Sequence, residues 1–257
     1  MDLSLIKIFT MKTLIILLLS ILPAFVQAQS KQDTLYVYGP GGPGAAMEEC
    51  AKVFSMKNSI PVKVTAGPEA KWIEQAKQNA DLVFGGAEYM LTQFIMQHPG
   101  LMDSTTRTEL YKRGAGILVR PGNPKKITSL KDLTKPGINI LEITGAGQLG
   151  MWEDLAGKQN LIGGIQKNIK GAFGNTALAI DAWKSDDKYD AIIIFASWYN
   201  RLKDVSELVK IPKEQTVYRG TPIAITIITN QKKEAQQFIK FLLSDQGHSI
   251  FQKWGWE

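Results

Sequence analysis

The sequence predicts an α/β protein of two α/β lobes with mostly parallel sheets and a cleft between them. Along most of the chain, short apolar strands alternate with helices of amphipathic spacing, which indicates βαβ units joined by right-handed crossovers. The alternation runs twice, before and after a change of pattern near Tyr111. Apolar residues make up 44% and charged residues 21% of the 257 residues, a composition that provides a core for each run.

The N-terminal residues have the features of a secretory signal peptide. Lys12 supplies a basic start, Leu14–Leu22 is an almost unbroken apolar run, and small residues end at Ala28, where signal peptidase would cut. We therefore expect residues 1–28 to be the signal peptide, with cleavage after Ala28 and Met11 as an alternative start. A membrane anchor is the competing interpretation, but the apolar run is short for a span.

The first run predicts three strands and three helices. The strands are Thr34–Tyr38, Ile60–Thr65 and Asp81–Phe84, and the helices are Ala45–Met56, Glu69–Asn79 and Glu88–Gln97. Cys50 is the only cysteine, so it forms no internal disulfide, and its apolar position predicts a buried thiol. It lies far from the signal and is no lipid-attachment site. An exported chain without a lipid anchor points to a Gram-negative periplasm.

The second run begins after the change of pattern. Its predicted strands are Gly116–Arg120, Ile138–Leu141, Asp190–Phe195 and Pro222–Ile228, and its helices are Gln148–Lys158, Thr176–Lys184, Lys233–Leu243 and Gln246–Trp254. The strand that ends at Phe195 is apolar throughout, as in a buried parallel sheet. We expect residues 29–115 and 217–257 to form lobe 1, and residues 116–216 to form lobe 2.

Four loops that follow strands are rich in glycine. They are Gly39–Gly44, Ala66–Pro68, Gly85–Ala87 and Thr144–Gln148. Ligands bind at the carboxyl ends of strands in open α/β sheets, and each loop leads into a helix N-terminus, where free backbone amides favour an anion. Because the loops are divided between the two runs, they predict a cleft that binds an anion from both sides. Simple turns are the alternative interpretation.

Other function classes have little support in the sequence. Gly39, Gly41 and Gly44 match a dinucleotide fingerprint, but Pro40 and Pro43 remove two of the amide donors that such a site needs. The two histidines lie outside the glycine loops, and the catalytic motifs of metalloproteases and serine hydrolases are absent. We therefore expect a binding protein, with no enzymatic activity, no cofactor and no metal.

The charge distribution suits a small acidic ligand. Removal of the signal leaves 28 basic and 23 acidic residues, and the basic residues are scattered, so no nucleic-acid partner is expected. Lys71 and Trp72 follow the Gly67-Pro68 turn. Lys71 is a candidate countercharge for the ligand, and Trp72 is a candidate for either the wall of the pocket or the core.

Five segments resemble one known family. They are YGPGGPGAAM, TAGPEAKWIEQAK, ADLVFGGAEYM, ITGAGQLGMWEDLAG and FQKWGW, in this order. In these segments the chain resembles the AcfC (accessory colonization factor) family, a branch of the molybdate/sulfate-type periplasmic solute-binding proteins with the type II fold. The resemblance extends from about Leu35 to Trp256, and the GAGQ-x-G-x-WED segment is its most specific part.

The resemblance implies two lobes joined by crossover strands, which capture an oxyanion through hydroxyls and backbone amides at helix starts. The implied contacts in lobe 1 are Gly41, Gly42, Gly67, Lys71, Gly86 and Ala87. Those in lobe 2 are Gly145, Ala146, Gly147, Gln148, Asn175, Thr176 and Ser197. Molybdate binders typically carry serine in the first two loops, where this chain has glycine and proline, so sulfate or a small carboxylate is an open alternative.

The resemblance also implies partners. An ABC permease or a chemoreceptor would receive the closed, ligand-bound protein, which is expected to be a monomer. The alternative function is an envelope adhesion or signalling module that retains the fold without transport.

Overall fold

Nine strands form one sheet in the computed structural model, which describes residues 33–257. The strands are β1 (Leu35–Gly39), β2 (Val62–Ala66), β3 (Leu82–Phe84), β4 (Thr108–Val119), β5 (Ile140–Ile143), β6 (Ile169–Phe173), β7 (Ala191–Phe195), β8 (Glu207–Lys210) and β9 (Tyr218–Ile225). Their order across the sheet is β2-β1-β3-β9-β4-β7-β5-β6, and β8 pairs with β4. The predicted signal peptide lies outside the described residues.

Parallel strands occupy both ends of the sheet, and antiparallel strands join them. β1 is parallel to β2 and β3, and β5 is parallel to β6 and β7. Between these sets, β4 runs antiparallel to β9 along its first part, to β7 from Ala115 onward and to β8 from Gly116 onward. We call residues 33–114 and 218–257 the first half, and residues 115–217 the second half.

Helices cover both faces of the sheet. They are α1 (Gly41–Asn58), α2 (Ile73–Asn79), α3 (Glu88–Gln97), α4 (Met151–Gly157), α5 (Ile162–Asn168), α6 (Thr176–Ser185), α7 (Tyr199–Leu202), α8 (Lys232–Leu242) and α9 (Asp245–Lys253). Within residues 33–257, none of these helices combines the length and apolarity needed to cross a bilayer. The expected α/β class is confirmed.

Each half has apolar clusters of its own. In the first half, Phe54 of α1 packs edge-on against Phe238 of α8, with ring centroids 5.2 Å apart. In the second half, Trp152 and Phe195 belong to one cluster, and the fully buried Trp183 belongs to another. Separate cores are what two lobes need. The division at residues 115/116 and 216/217 stays a prediction.

Cys50 lies in the core of the first half, as its apolar position in α1 predicts. The side chain is fully buried, and it is a free thiol. Burial raises the pKa of Cys50 to about 12, so the thiol stays protonated and unreactive at neutral pH.

Several sequence predictions were wrong in detail. The predicted strand Pro222–Ile228 is β9, Tyr218–Ile225. The predicted helix Gln148–Lys158 is α4, Met151–Gly157, which follows a 3-10 turn at Ala146–Gln148.

The predicted loop Gly39–Gly44 is not a loop, because α1 already begins at Gly41. The predicted helix Glu69–Asn79 divides at Trp72, whose φ of −134° ends a short 3-10 turn before α2 begins. The strand predicted from Gly116 starts at Thr108. The sequence analysis also missed α5, β6, α7 and β8, whose apolar residues are few and irregularly spaced.

Candidate functional site

The carboxyl ends of strands from both halves surround a cavity of 380 Å³. Nine of the thirteen predicted contacts line it: Gly41, Gly42, Gly67 and Gly86 from the first half, and Ala146, Gly147, Gln148, Asn175 and Thr176 from the second. The four glycine-containing segments therefore meet at one place, as the strand-end argument predicts, although the segment Gly39–Gly44 contains the start of α1.

The other four predicted contacts lie outside the cavity lining. Lys71 is exposed at the end of the 3-10 turn. Ala87 and Ser197 are buried beside lining residues, and Gly145 packs against the carbonyl of Gly174, which an added Cβ would approach to 2.4 Å. Lys71 is therefore not placed to supply the countercharge that the sequence analysis assigned to it.

The start of α1 presents uncapped backbone amides to the cavity. Pro40 is the N-cap residue and makes no side-chain cap hydrogen bond, and the first turn contains no acidic residue. The first amides of a helix have no partner within the helix, and the helix dipole adds positive potential there. Gly41 and Gly42 line the cavity at this end. This helix start is therefore suited to an anion.

Arg113 of β4 provides a buried positive charge at the same place. Its side chain is 2% exposed and lines the cavity. Nη2 donates a hydrogen bond to the Gly86 carbonyl oxygen at 2.9 Å, while Nε and Nη1 have no partner among the described residues. A buried donor without a partner is costly, and a buried cation is more so. The arrangement therefore favours an anion that accepts from this guanidinium.

Aromatic rings hold the Arg113 guanidinium from two sides. Its central carbon lies 4.1 Å from the ring centroid of Phe195 and 4.7 Å from that of Trp256. Burial, and secondarily the nearby Arg201, lowers the pKa of Arg113 to about 9. The group remains charged at neutral pH, but the free protein carries this charge at a cost that an anionic ligand would reduce.

The second half contributes neutral polar groups. The Gln148 side-chain amide donates to the Thr176 hydroxyl at 2.9 Å, and its Oε1 is buried without a partner in the described part of the chain. Asn175 caps α6, because its side-chain oxygen accepts from the Leu178 amide at 3.0 Å. Since the Thr176 hydroxyl can donate or accept, the Gln148 amide can offer either its oxygen or its nitrogen to a ligand.

Two sets of contacts cross between the halves at the rim of the cavity. The Tyr89 hydroxyl of α3 donates to the Ala146 carbonyl oxygen and accepts from the Leu149 amide at 3.1 Å. Arg201 of α7 donates to the carbonyl oxygens of Gly41 and Gly42, both at 3.1 Å. These contacts hold the two halves together over the cavity.

Apolar side chains form much of the remaining wall. Trp72 and Phe94 belong to a core cluster of the first half and also line the cavity, with ring centroids 5.7 Å apart. Trp72 therefore fills both of the roles that the sequence left open. Phe195 and Trp198 line the cavity from the second half.

The groups associated with catalysis or metal binding are not collected here. Neither histidine lines the cavity: His98 lies 2.9 Å from Glu69, a lining residue, and His248 stacks on Tyr111 away from the lining, with ring centroids 4.4 Å apart. Within residues 33–257, no cluster of three or more His, Cys, Asp or Glu side chains is placed to hold a metal ion.

Comparison with protein-family models identifies the family. Residues 35–257 match the model described as "Bacterial extracellular solute-binding protein". The chain belongs to this family. The match includes every residue that lines the cavity.

The chain is similar to several known proteins and solved structures. The "Sulfate-binding protein" of Escherichia coli (strain K12) is 27% identical over 167 residues, which are 53% of this chain and 48% of that protein. The match thus spans about half the length of this curated relative. PEB3 with bound L-phospholactate is 31% identical, with a TM-score of 0.80 over 87% of this chain and 99% of that chain. The periplasmic molybdate-binding protein of Azotobacter vinelandii, at 15% identity, shares the fold, with a TM-score of 0.65 over 87% of this chain and 98% of that chain.

Proposed function

We propose that the protein captures a small anion in the periplasm between its two halves and delivers it to a membrane partner. The observation that carries this proposal is the Arg113 guanidinium, which lies in a two-sided cavity with two of its three nitrogens unpartnered among the described residues. The uncapped start of α1 adds backbone donors beside it. An oxyanion placed there would accept from both groups.

Relatives support an oxyanion as the ligand. The Escherichia coli relative is a sulfate-binding protein, and the PEB3 structure holds L-phospholactate. Sulfate, molybdate and phosphoryl groups are tetrahedral oxyanions, and a carboxylate accepts from the same forked guanidinium. The ligand class we propose is therefore an oxyanion or a small carboxylate.

Closure of the two halves would couple binding to transport. Ligand contacts in both halves stabilise a closed state, and a ligand shifts a conformational equilibrium only by its different affinity for the two states. In the closed arrangement, Tyr89 bridges to the 146–149 segment and Arg201 bridges to the start of α1. The permease or chemoreceptor would recognise this arrangement.

A thermal-shift experiment on the chain from Gln29 onward tests the proposal. Sulfate, molybdate, phosphate and L-phospholactate are added separately, with sodium chloride of matched ionic strength as the control. A ligand at a hundred times its Kd would raise the Tm by about 5–10 °C, because it binds only the folded state.

The absence of any shift beyond that of chloride at millimolar concentration would contradict the proposal. That outcome would favour the alternative expected from the AcfC resemblance, an envelope adhesion or signalling module that retains the fold without transport.

A further inference from the structure

We infer that the ligand carries one anionic head group on an apolar body about the size of a ring, and is not a bare tetrahedral oxyanion. This inference rests on the proposed function, because it takes the cavity around Arg113 as the ligand site. It adds a substrate class that an anion site alone does not specify. Three observations support it, namely the volume of the cavity, the number of charges in its wall and the chemistry of the rest of the wall.

The cavity is too large for a bare oxyanion. Its volume is 380 Å³, within the range of about 300–1,000 Å³ that is typical of sites for organic ligands. A tetrahedral oxyanion displaces roughly two or three waters at about 30 Å³ each. Such an ion would leave most of the cavity unfilled, whereas a ring with an attached head group would occupy much of the remainder.

The wall provides charge for one anionic head group. Among the described lining residues, Arg113 is the one cationic side chain and Glu69 is the one acidic side chain. Glu69 is exposed and lies 2.9 Å from His98.

Arg201 lies over the ring of the lining residue Trp198 but is not part of the lining. It donates to the carbonyl oxygens of Gly41 and Gly42. Within the described lining, a second anionic group would find no further cationic side chain and would lie in the field of the Glu69 carboxylate. The body of the ligand is therefore neutral.

The wall beyond Arg113 is mainly apolar. Of the 24 lining residues, seven are glycine, five are polar or charged, and the other twelve are apolar or proline. The Trp72 indole nitrogen already donates to the Gly67 carbonyl oxygen at 3.1 Å, so the ring offers the ligand an apolar surface. Phe94 lies beside it, and Phe195 and Trp198 line the cavity from the second half. Phe195 is fully buried and stacks on Arg113. The partly exposed Trp198 is therefore the ring that the second half can offer, beside Trp72 and Phe94 of the first half, to a ring of the ligand.

Titration calorimetry with a matched pair of ligands tests the inference. Methyl phosphate and phenyl phosphate share a head group and differ in the ring, and inorganic phosphate, sulfate and molybdate complete the set. We expect phenyl phosphate to bind about ten- to hundredfold more tightly than methyl phosphate, because its ring buries apolar surface. Equal affinities for the two esters would overturn the inference and leave the proposed function intact. If none of the five compounds binds, the proposed function fails as well.

A variant that fills part of the cavity beside its apolar wall tests whether burial of the phenyl ring causes the tighter binding of phenyl phosphate. Ala177 is exposed in the first turn of α6 and lines the cavity, so Ala177→Phe adds a ring at the wall without opening the core. This variant should lose the preference for phenyl phosphate and retain binding of inorganic phosphate. Leu178→Phe adds the same ring at the next position, which is exposed and does not line the cavity, and should keep the preference. A preference that survives in Ala177→Phe would contradict the assignment of this space to the ligand body.

Discussion

Two helix starts lie at the cavity, and they satisfy their backbone amides in different ways. In the second half, α6 begins with a side-chain cap, since Asn175 accepts from the Leu178 amide at 3.0 Å. In the first half, α1 begins at Gly41 after the N-cap residue Pro40, with no such side-chain cap and with glycines in its first turn. The Asn175 cap satisfies the Leu178 amide at the start of α6, whereas no side chain of the described residues satisfies an amide at the start of α1. This contrast favours the first half as the side on which the proposed anion binds.

Arg113 strengthens this contrast. It belongs to β4, and its guanidinium would lie 2.8 Å from a Cβ added at Gly42, in the first turn of α1. The positive groups thus converge on the first-half side of the cavity, while Gln148, Asn175 and Thr176 offer neutral polar groups from the other side. The comparison predicts that substitutions on the first-half side of the cavity abolish anion binding. Substitutions at the contacts that join the two halves, such as those of Tyr89, should only weaken it.

Removal of the buried charge should have the largest effect. Arg113→Met is expected to lower anion affinity by a hundredfold or more, since the loss of one member of a buried charge contact costs about 2–5 kcal/mol. Titration calorimetry would measure the loss. The free energy of unfolding of the ligand-free protein should not fall, because the substitution removes an uncompensated charge and fits the apolar site between Phe195 and Trp256.

The conservative variant Arg113→Lys is the matched control. It keeps the positive charge but loses the forked guanidinium, which can donate to the Gly86 carbonyl oxygen and to a bound anion at the same time. Its affinity should lie between that of the wild type and that of Arg113→Met. Wild-type affinity in Arg113→Met would refute the assignment of the anion to this guanidinium.

A methyl group at Gly42 should have the next largest effect. In Gly42→Ala the new Cβ would lie 2.8 and 2.9 Å from two guanidinium nitrogens of Arg113, so the side chain must shift. We expect about a tenfold loss of affinity, with helix stability equal or improved because alanine favours helix over glycine. Gly41→Ala is the control, since its Cβ meets nothing closer than the Gly67 Cα at 3.7 Å. Equal losses in the two variants would count against a contact through Arg113.

The affinity should fall at alkaline pH. The pKa of Arg113 is lowered to about 9 by burial in the free protein, and a bound anion raises it again. Between these two values, binding must take up a proton, so affinity is full below about pH 9 and falls by up to tenfold per pH unit above it. Calorimetry in buffers of different ionisation enthalpy would report the proton uptake. An affinity that does not change between pH 7 and pH 10.5 would contradict this assignment.

Loss of the Tyr89 bridge should have the smallest effect. Tyr89→Phe removes the donor to Ala146 and the acceptor for the Leu149 amide, and leaves the charge side intact. Burial raises the pKa of Tyr89, so the hydroxyl remains a donor at neutral pH. We expect about a three- to tenfold faster dissociation at unchanged association rate, because the two hydrogen bonds contribute about 0.5 kcal/mol each to the closed state. Stopped-flow measurement would separate the rates, and a slower association would show that Tyr89 acts in capture.

Periodicity and glycine placement predicted the class of fold and the meeting of the loops. The helix Glu88–Gln97 was predicted to the residue, and the loops Ala66–Pro68 and Thr144–Gln148 reach one cavity because parallel strands bring their carboxyl ends together. The start of α1 was missed because glycines in a first turn have the composition of a loop.

Arg113 was missed because the predicted strand began at Gly116, so Arg113 was not assigned to a strand. Two-residue alternation back from Ala115, Ile117 and Val119, all buried, places Arg113 on the same face of the strand. That signal depended on recognising that the strand begins at Thr108. Lys71, a cation beside a glycine turn, was the more visible candidate, but it lies outside the cavity lining.

The place of Arg113 along β4 has a kinetic consequence. The next residue, Gly114, still pairs with Tyr218 of β9, whereas Ala115 already pairs with Phe195 of β7. The charge thus sits on the pivot of the proposed closing motion, where displacements are smallest. An approaching ion meets the Arg113 charge in the same position whether the two halves are open or closed. Salt concentration should therefore control the association rate, and closure of the two halves should control the residence time of the ligand.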